Sequence, residues 1–138
     1  MKMASGTFKG TGAALVIACG FLPDYVKVVN ISGEDIEVLE WNRGCLDGPS
    51  TIAGGVLRVA AQGTNDARQN AATGISLHEG GETIGSSNTS KFIYKPDDDV
   101  SFTPAGEGVV LPDGFQIGTA AVNENTEVAY FEAGLFDN

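Results

Sequence analysis

Few residues in this chain are of the types that do chemistry, and their spacing serves it poorly. The one histidine, His78, sits in GISLHEG, residues 74 to 80. Acyl transfer would need a serine on a G-x-S-x-G elbow with a base and oxyanion donors nearby, and neither the elbow nor a companion motif is present. His78 therefore reads as an exposed or strand-end residue. One histidine is also too few for the His-rich metal sites of hydrolytic enzymes. Asp97, Asp98 and Asp99 offer the clustered oxygens a hard cation takes, with Glu107 or Asp113 to complete a shell. Their spacing is not that of an EF-hand loop, and three acids between Pro96 and Val100 read as a solvated turn. Gly10 and Gly12 resemble the start of a phosphate cradle, but no Lys-Ser/Thr follows and no helix begins there. Cys19 and Cys45 are the only cysteines. They fit neither a four-ligand zinc site nor a disulfide framework, while a bridge between the two is left open. The chain is expected to carry no catalytic residue, no metal ligand and no cofactor.

Two further residues invite a binding role. Trp41, in WNRG, could stack on a sugar or base, but it alternates with Leu39 along a strand and so is expected in the core. Arg43 beside it places a guanidinium at a strand end, to pair with Asp24 or Asp47 within the chain or with an acid on a partner; the internal pair is preferred.

The elements that must position these residues are strands. Nineteen glycines and five prolines separate short segments rich in Val, Ile, Phe and Tyr, the punctuation of an all-β domain. Strands are predicted at 13–18, 25–31, 36–42, 56–60, 75–78, 91–95, 100–103, 109–111, 115–117 and 126–133. One helical turn is predicted at 66–71, inside a polar segment, 61–74, that reads as a mobile or partner-ordered loop. In YVKVVNI, Val26 and Val28 alternate with Tyr25, Lys27, Val29 and Ile31, and after a turn at 32–35 the chain returns with Ile36 and Val38 opposing Leu39 and Trp41. Both faces of this hairpin are largely apolar. It belongs near the middle of a sheet, with one face on a core and the other on a second layer or a neighbouring subunit. The fold class expected is an all-β, single-domain β-sandwich or flattened barrel of about nine short strands, residues 13–138, preceded by an extended N-terminal arm, residues 1–12.

Composition narrows the partners. The net charge is −10, with 8 Lys+Arg against 18 Asp+Glu, so a phosphate backbone is repelled and nucleic acid is not an expected partner. Residues 1 to 30 carry Lys2, Lys9 and Lys27 against Asp24, a balance of +2 that leaves −12 for the remainder. Such asymmetry orients a docking event, acidic end outward or onto a basic partner. No apolar run approaches the roughly 20 residues of a membrane helix. AALVIACGFL, residues 13 to 22, imitates a signal-peptide core but lacks a basic start and continues into a strand, so it is read as structure and the chain is expected to stay where it is made.

Taken in order, GTGAALVIACGFLPDYVKVVN, IEVLEWNRG with a following DG, GIS, and DGFQIGTAAVNENTEVAYFEAG resemble small β-rich structural proteins encoded in the head-gene regions of tailed bacteriophages. The likeness covers most of the chain except residues 49 to 74 or so, and its motifs mark β-geometry, not a catalytic site. What it implies is a capsid decoration or cement protein, not an enzyme. Such a protein is made in the host cytoplasm and ends on the outer capsid surface, bound to the major capsid protein and to itself as a homotrimer. The contact residues expected are Lys2, Phe8 and Lys9 on the arm, Tyr25, Lys27 and Val29 on the hairpin, and Arg43 at its end. Two other readings fit the same pattern: another virion component, such as a head fibre base, tail or baseplate protein, or a carbohydrate-binding module stacking sugars on Trp41, Tyr94 and Tyr130.

Overall fold

A computed structural model describes residues 1–33, 36–59, 67–94 and 100–136. Its strands are β1 (Lys2–Lys9), β2 (Leu15–Ala18), β3 (Tyr25–Asn30), β4 (Glu37–Asn42), β5 (Gly55–Val59), β6 (Ala67–Gln69), β7 (Ile75–His78), β8 (Phe92–Tyr94), β9 (Thr103–Pro104), β10 (Gly114–Ile117) and β11 (Val128–Leu135). They form two sheets, of order β1-β11-β3-β4-β5-β6 and β7-β10-β2-β8-β9. The protein is an all-β sandwich, and its sheets do not close into a barrel.

The core lies between the sheets and follows from strand alternation. In the six-stranded sheet, register brings Phe131 opposite Val28, and Val28 opposite Leu39. These inward residues meet Leu15, Ile17, Ile75, Ile93, Phe115 and Ile117 of the five-stranded sheet in one buried cluster. Phe131 is its aromatic centre, with Phe102 and Phe115 edge-on at 4.9 and 5.6 Å and Phe8 tilted at 6.4 Å. Trp41 is 3% exposed and donates its indole N–H to the Ala53 carbonyl at 2.9 Å, so the core placement expected of it holds. The hairpin β3–β4 occupies the middle of its sheet, as its two-sided apolar character predicts.

The outer faces of the two sheets are treated differently. Segments 81–84 and 108–111 form a short antiparallel ribbon through the Thr83–Val110 bridge and the bonds Ile84 N–H to Val109 O and Leu111 N–H to Glu82 O. Ile84 and Leu111 from this ribbon, with Ala105, bury against Ala18, Phe92 and Tyr94. That covers the back of the five-stranded sheet at Ala18, while Leu15 and Ile17 of the same strand are buried in the core between the sheets. Among the described residues nothing comparable lies over the back of the six-stranded sheet.

Two expectations are corrected. The arm expected at residues 1–12 is part of the domain. Lys2–Lys9 pairs residue for residue with β11, and its outer edge is partly closed where Thr7 N–H bonds Val100 O and Phe102 N–H bonds Thr7 O. The domain therefore does not begin at residue 13. Among the described residues eleven strands are named, and the two that no predicted strand overlaps are β1 and β6. The helical turn predicted at 66–71 is instead strand β6 at Ala67–Gln69: these residues pair with Leu57, Val56 and Gly55, and pairing with a sheet edge overrides the helix preference of Ala, Arg and Gln. The turn residues 34–35, residue 60 at the end of the strand predicted at 56–60, segment 61–66 of the loop and the acids Asp97–Asp99 lie outside the described residues.

Candidate functional site

The residues capable of chemistry are mostly engaged in holding the fold. His78 contacts Glu82 through Nε2 and its ring lies 5.9 Å from Phe92, at the edge of the covered sheet. Among the described residues no group of three His, Cys, Asp or Glu is placed to hold a metal ion. Both cysteines are free thiols. Cys19 donates to the Phe21 carbonyl at 3.4 Å, and burial pushes its pKa up to about 11, so the reactive thiolate is disfavoured. Arg43 donates from Nε to Asp24 Oδ1 at 2.7 Å, and Asp24 accepts the Phe136 N–H at 2.8 Å. The internal pair preferred from sequence is thus formed, with Asp24 and not Asp47. These bonds, the Phe136 N–H first, hold the Asp24 carboxyl below its ordinary range.

Two buried amides escape a motif search and do comparable structural service. Asn30 donates to Glu127 Oε1 at 2.6 Å and to the Ala121 carbonyl at 3.3 Å, while its Oδ1 accepts the N–H groups of Ser32 and Gly33 at 3.1 Å. Asn123 donates to the carbonyls of Ala13 and Gly118 at 2.7 and 2.9 Å and accepts from Thr11 N–H at 3.0 Å. The signal for Asn30 is present in N-I-S-G, an Asx-turn pattern at a strand end. No local pattern marks Asn123, whose partners are chiefly distant in sequence. Glu124, next to Asn123, has its carboxyl pKa raised by a side-chain hydrogen bond with Glu127.

What remains as a site is the uncovered back of the six-stranded sheet. Register sorts its outward residues into rows across the strands. One row runs Ser5, Glu132, Lys27, Glu40, Val56, Arg68. The next runs Thr7, Tyr130, Val29, Val38, Arg58. Beyond it, Lys9 and Val128 pair at the strand ends, where Ile31 N–H bonds the Val128 carbonyl and Ile36 begins the approach to β4. Ile31, Ile36 and Val128 are 54%, 61% and 36% exposed. With Val29, Val38 and Tyr130 they make an apolar patch flanked by Lys9 on one side and Arg58 on the other. Among the described residues Arg58 forms one ion pair, an exposed one with Glu40, Nε to Oε1 at 3.5 Å, which contributes at most about 1 kcal/mol. A groove of about 320 Å³ opens nearer the other end of the face, lined by Tyr25, Lys27, Glu40, Asn42, Val56 and Arg58 among others. At that end Tyr25 stacks on Phe136 at 5.3 Å and donates its hydroxyl to Met3 Sδ at 3.3 Å.

The contact residues expected from sequence divide accordingly. Lys9, Tyr25, Lys27 and Val29 share the uncovered face, although Val29 is nearly buried by its neighbours. Lys2 is exposed at the start of β1. Arg43 lies at the hairpin end, tied to Asp24. Phe8 is a correction: alternation turns it inward, 2% exposed against Phe131, so it has no surface to offer a partner. Ile31, Ile36, Arg58 and Val128 lie on the same face and are not among the contact residues expected from sequence. Nor do Trp41, Tyr94 and Tyr130 share a face, since they lie respectively in the core, on the covered sheet and on the uncovered one. In comparisons with known proteins the chain matches no family model, no curated protein and no solved structure.

Proposed function

We propose that this protein is a structural component of a virion, a decoration protein that binds the outside of a phage head and stabilises it. The observation that supports this most is the uncovered sheet back. The chain spends its 81–84 and 108–111 segments on hiding one outer face and leaves the other with an apolar centre and a charged rim, the composition of a protein–protein interface. A non-catalytic role is consistent with how the polar side chains are used, Asn30, Asn123, Asp24 and Arg43 all being committed to holding segments of the fold together. In this reading the function is mechanical. Each copy buries modest area across adjoining coat subunits, and many copies together resist internal pressure.

Copies associate as trimers in the same reading. The second apolar cluster, Met3, Tyr25 and Phe136 at the opposite end of the sheet, is the surface offered for that contact. Sedimentation of the purified chain, alone and with empty heads of a phage that encodes it, tests both parts. The wild type should sediment as a trimer and pellet with the heads. The Ile31→Ser/Ile36→Ser double variant, changed only at exposed positions and so of near-normal stability, should stay in the supernatant. Equal pelleting of the two would remove this face from the contact, and a wild type that never pellets would end the reading.

A further inference from the structure

The chemistry of the docked surface can be taken further, on the premise that the uncovered face is the one that binds the head. The geometry points to an acidic protein surface on the shell, with carboxylates placed to meet Lys9 and Arg58 on the two flanks of the apolar patch.

Among the described residues the two rows that carry the patch contain no acid. Their charged members are Lys9 and Arg58, in a chain whose net charge is −10. Arg68 sits one row away beside Val56 and extends the same flank. With 18 carboxylates in the sequence, internal partners are plentiful, yet Lys9 and Arg68 have no carboxylate within ion-pair distance among the described residues, and Arg58 has only the exposed Glu40. Elsewhere the balance is reversed. The region that backs the five-stranded sheet carries Glu79, Glu82, Glu107 and Asp113 against Lys91. A molecule built this way turns its acidic side away from an acidic surface and its cationic rim toward it, so long-range attraction selects the face and the apolar patch then makes the close contact. Cations at the rim remain partly hydrated when docked, which makes their contribution sensitive to salt.

The test compares head binding by the wild type, by Lys9→Glu/Arg58→Glu and by Ile31→Ser/Ile36→Ser. Binding is measured by co-sedimentation with empty heads from about 50 to about 500 mM NaCl, with circular dichroism to confirm that each variant is folded. The wild type should lose about tenfold in affinity across this range, and the charge reversal should lose about tenfold at low salt and much less at high salt. Charge-reversed protein that binds as the wild type does at both ends of the range overturns the acidic surface. If the isoleucine variant loses binding in that same experiment, the docking face itself survives. A self-association of the purified chain that low salt strengthens and the charge reversal abolishes would make a second copy the occupant and overturn the assignment to the shell. Failure of the wild type to bind heads at any salt removes both the inference and the reading beneath it.

Discussion

At the scale of single residues, the side chains that resemble functional groups act as fasteners. Asp24 is the clearest case. Its two oxygens hold Arg43, at the end of the hairpin, and the Phe136 N–H, just past β11. Because these bonds favour the ionised carboxylate, its folded pKa is below the ordinary 3.8. A carboxylate depressed on folding stabilises fully above its unfolded pKa, and that contribution is lost as pH falls through the folded value. Acidification below about pH 4 should therefore loosen the C-terminal end before the core melts. Amide exchange at Phe136 should quicken over that range in the wild type, whereas in Asp24→Asn it should be fast already at neutral pH. Protection of Phe136 that is the same in both proteins would show that Asp24 does not hold it. Arg43 was legible as a paired residue because cations are few and Asp24 is near in sequence; Asn123 was not, since two of its three bonds reach across 110 or more residues.

At the scale of elements, β1 and β6 show where local pattern ends. KMASGTFK contains Gly6, Ser5 and two lysines and has little strand character of its own. It is a strand because β11 offers it an eight-residue partner, and because the missing side chain of Gly6 leaves room for the Phe102 ring against the sheet. ARQ has helix-favouring residues but lies along the edge of β5. Non-local pairing decides both, and propensity is only a weak prior against it. A measurable consequence follows for β1. Removal of residues 1–9 takes Phe8 out of the core and exposes the edge of β11, so the truncated chain should be destabilised by at least about 3 kcal/mol in urea unfolding. A truncated protein as stable as the full chain would mean that this segment is an appendage after all.

At the scale of the whole molecule, one core joins the sheets and the two backs diverge. Phe131 touches the aromatic rings of Phe8, Phe102 and Phe115, which come from β1, the segment before β9, and β10. Phe131→Ala should cost about 3–5 kcal/mol, and because the ring is shared by both sheets the loss should appear as one cooperative transition at lower temperature. Two separate transitions in calorimetry would show that the sheets unfold independently. The same shared core is what leaves each sheet a second face to dispose of. Among the described residues a ribbon of the chain covers one, while the other presents Lys9, Arg58 and an apolar centre, the feature that supports the docking role proposed above.

Alternation and turn residues are local, and they were enough to determine an all-β chain, the hairpin of β3 and β4 in the middle of its sheet, and the inward Trp41 and Leu39. Side-chain direction in a strand has a period of two whatever the partner strand, so which residues share a face along one strand can be read without the fold. Which strands lie side by side cannot, because pairing joins residues such as Lys2 and Leu135 from the two ends of the chain. Only the tertiary structure therefore decided that residues 2–9 belong to the sheet, that Phe8 is buried, and that Lys9 and Arg58 come to bracket one apolar patch. It also decided which of the two sheets is covered by the 81–84 and 108–111 ribbon, a matter of where those segments fold back and not of any pattern within them.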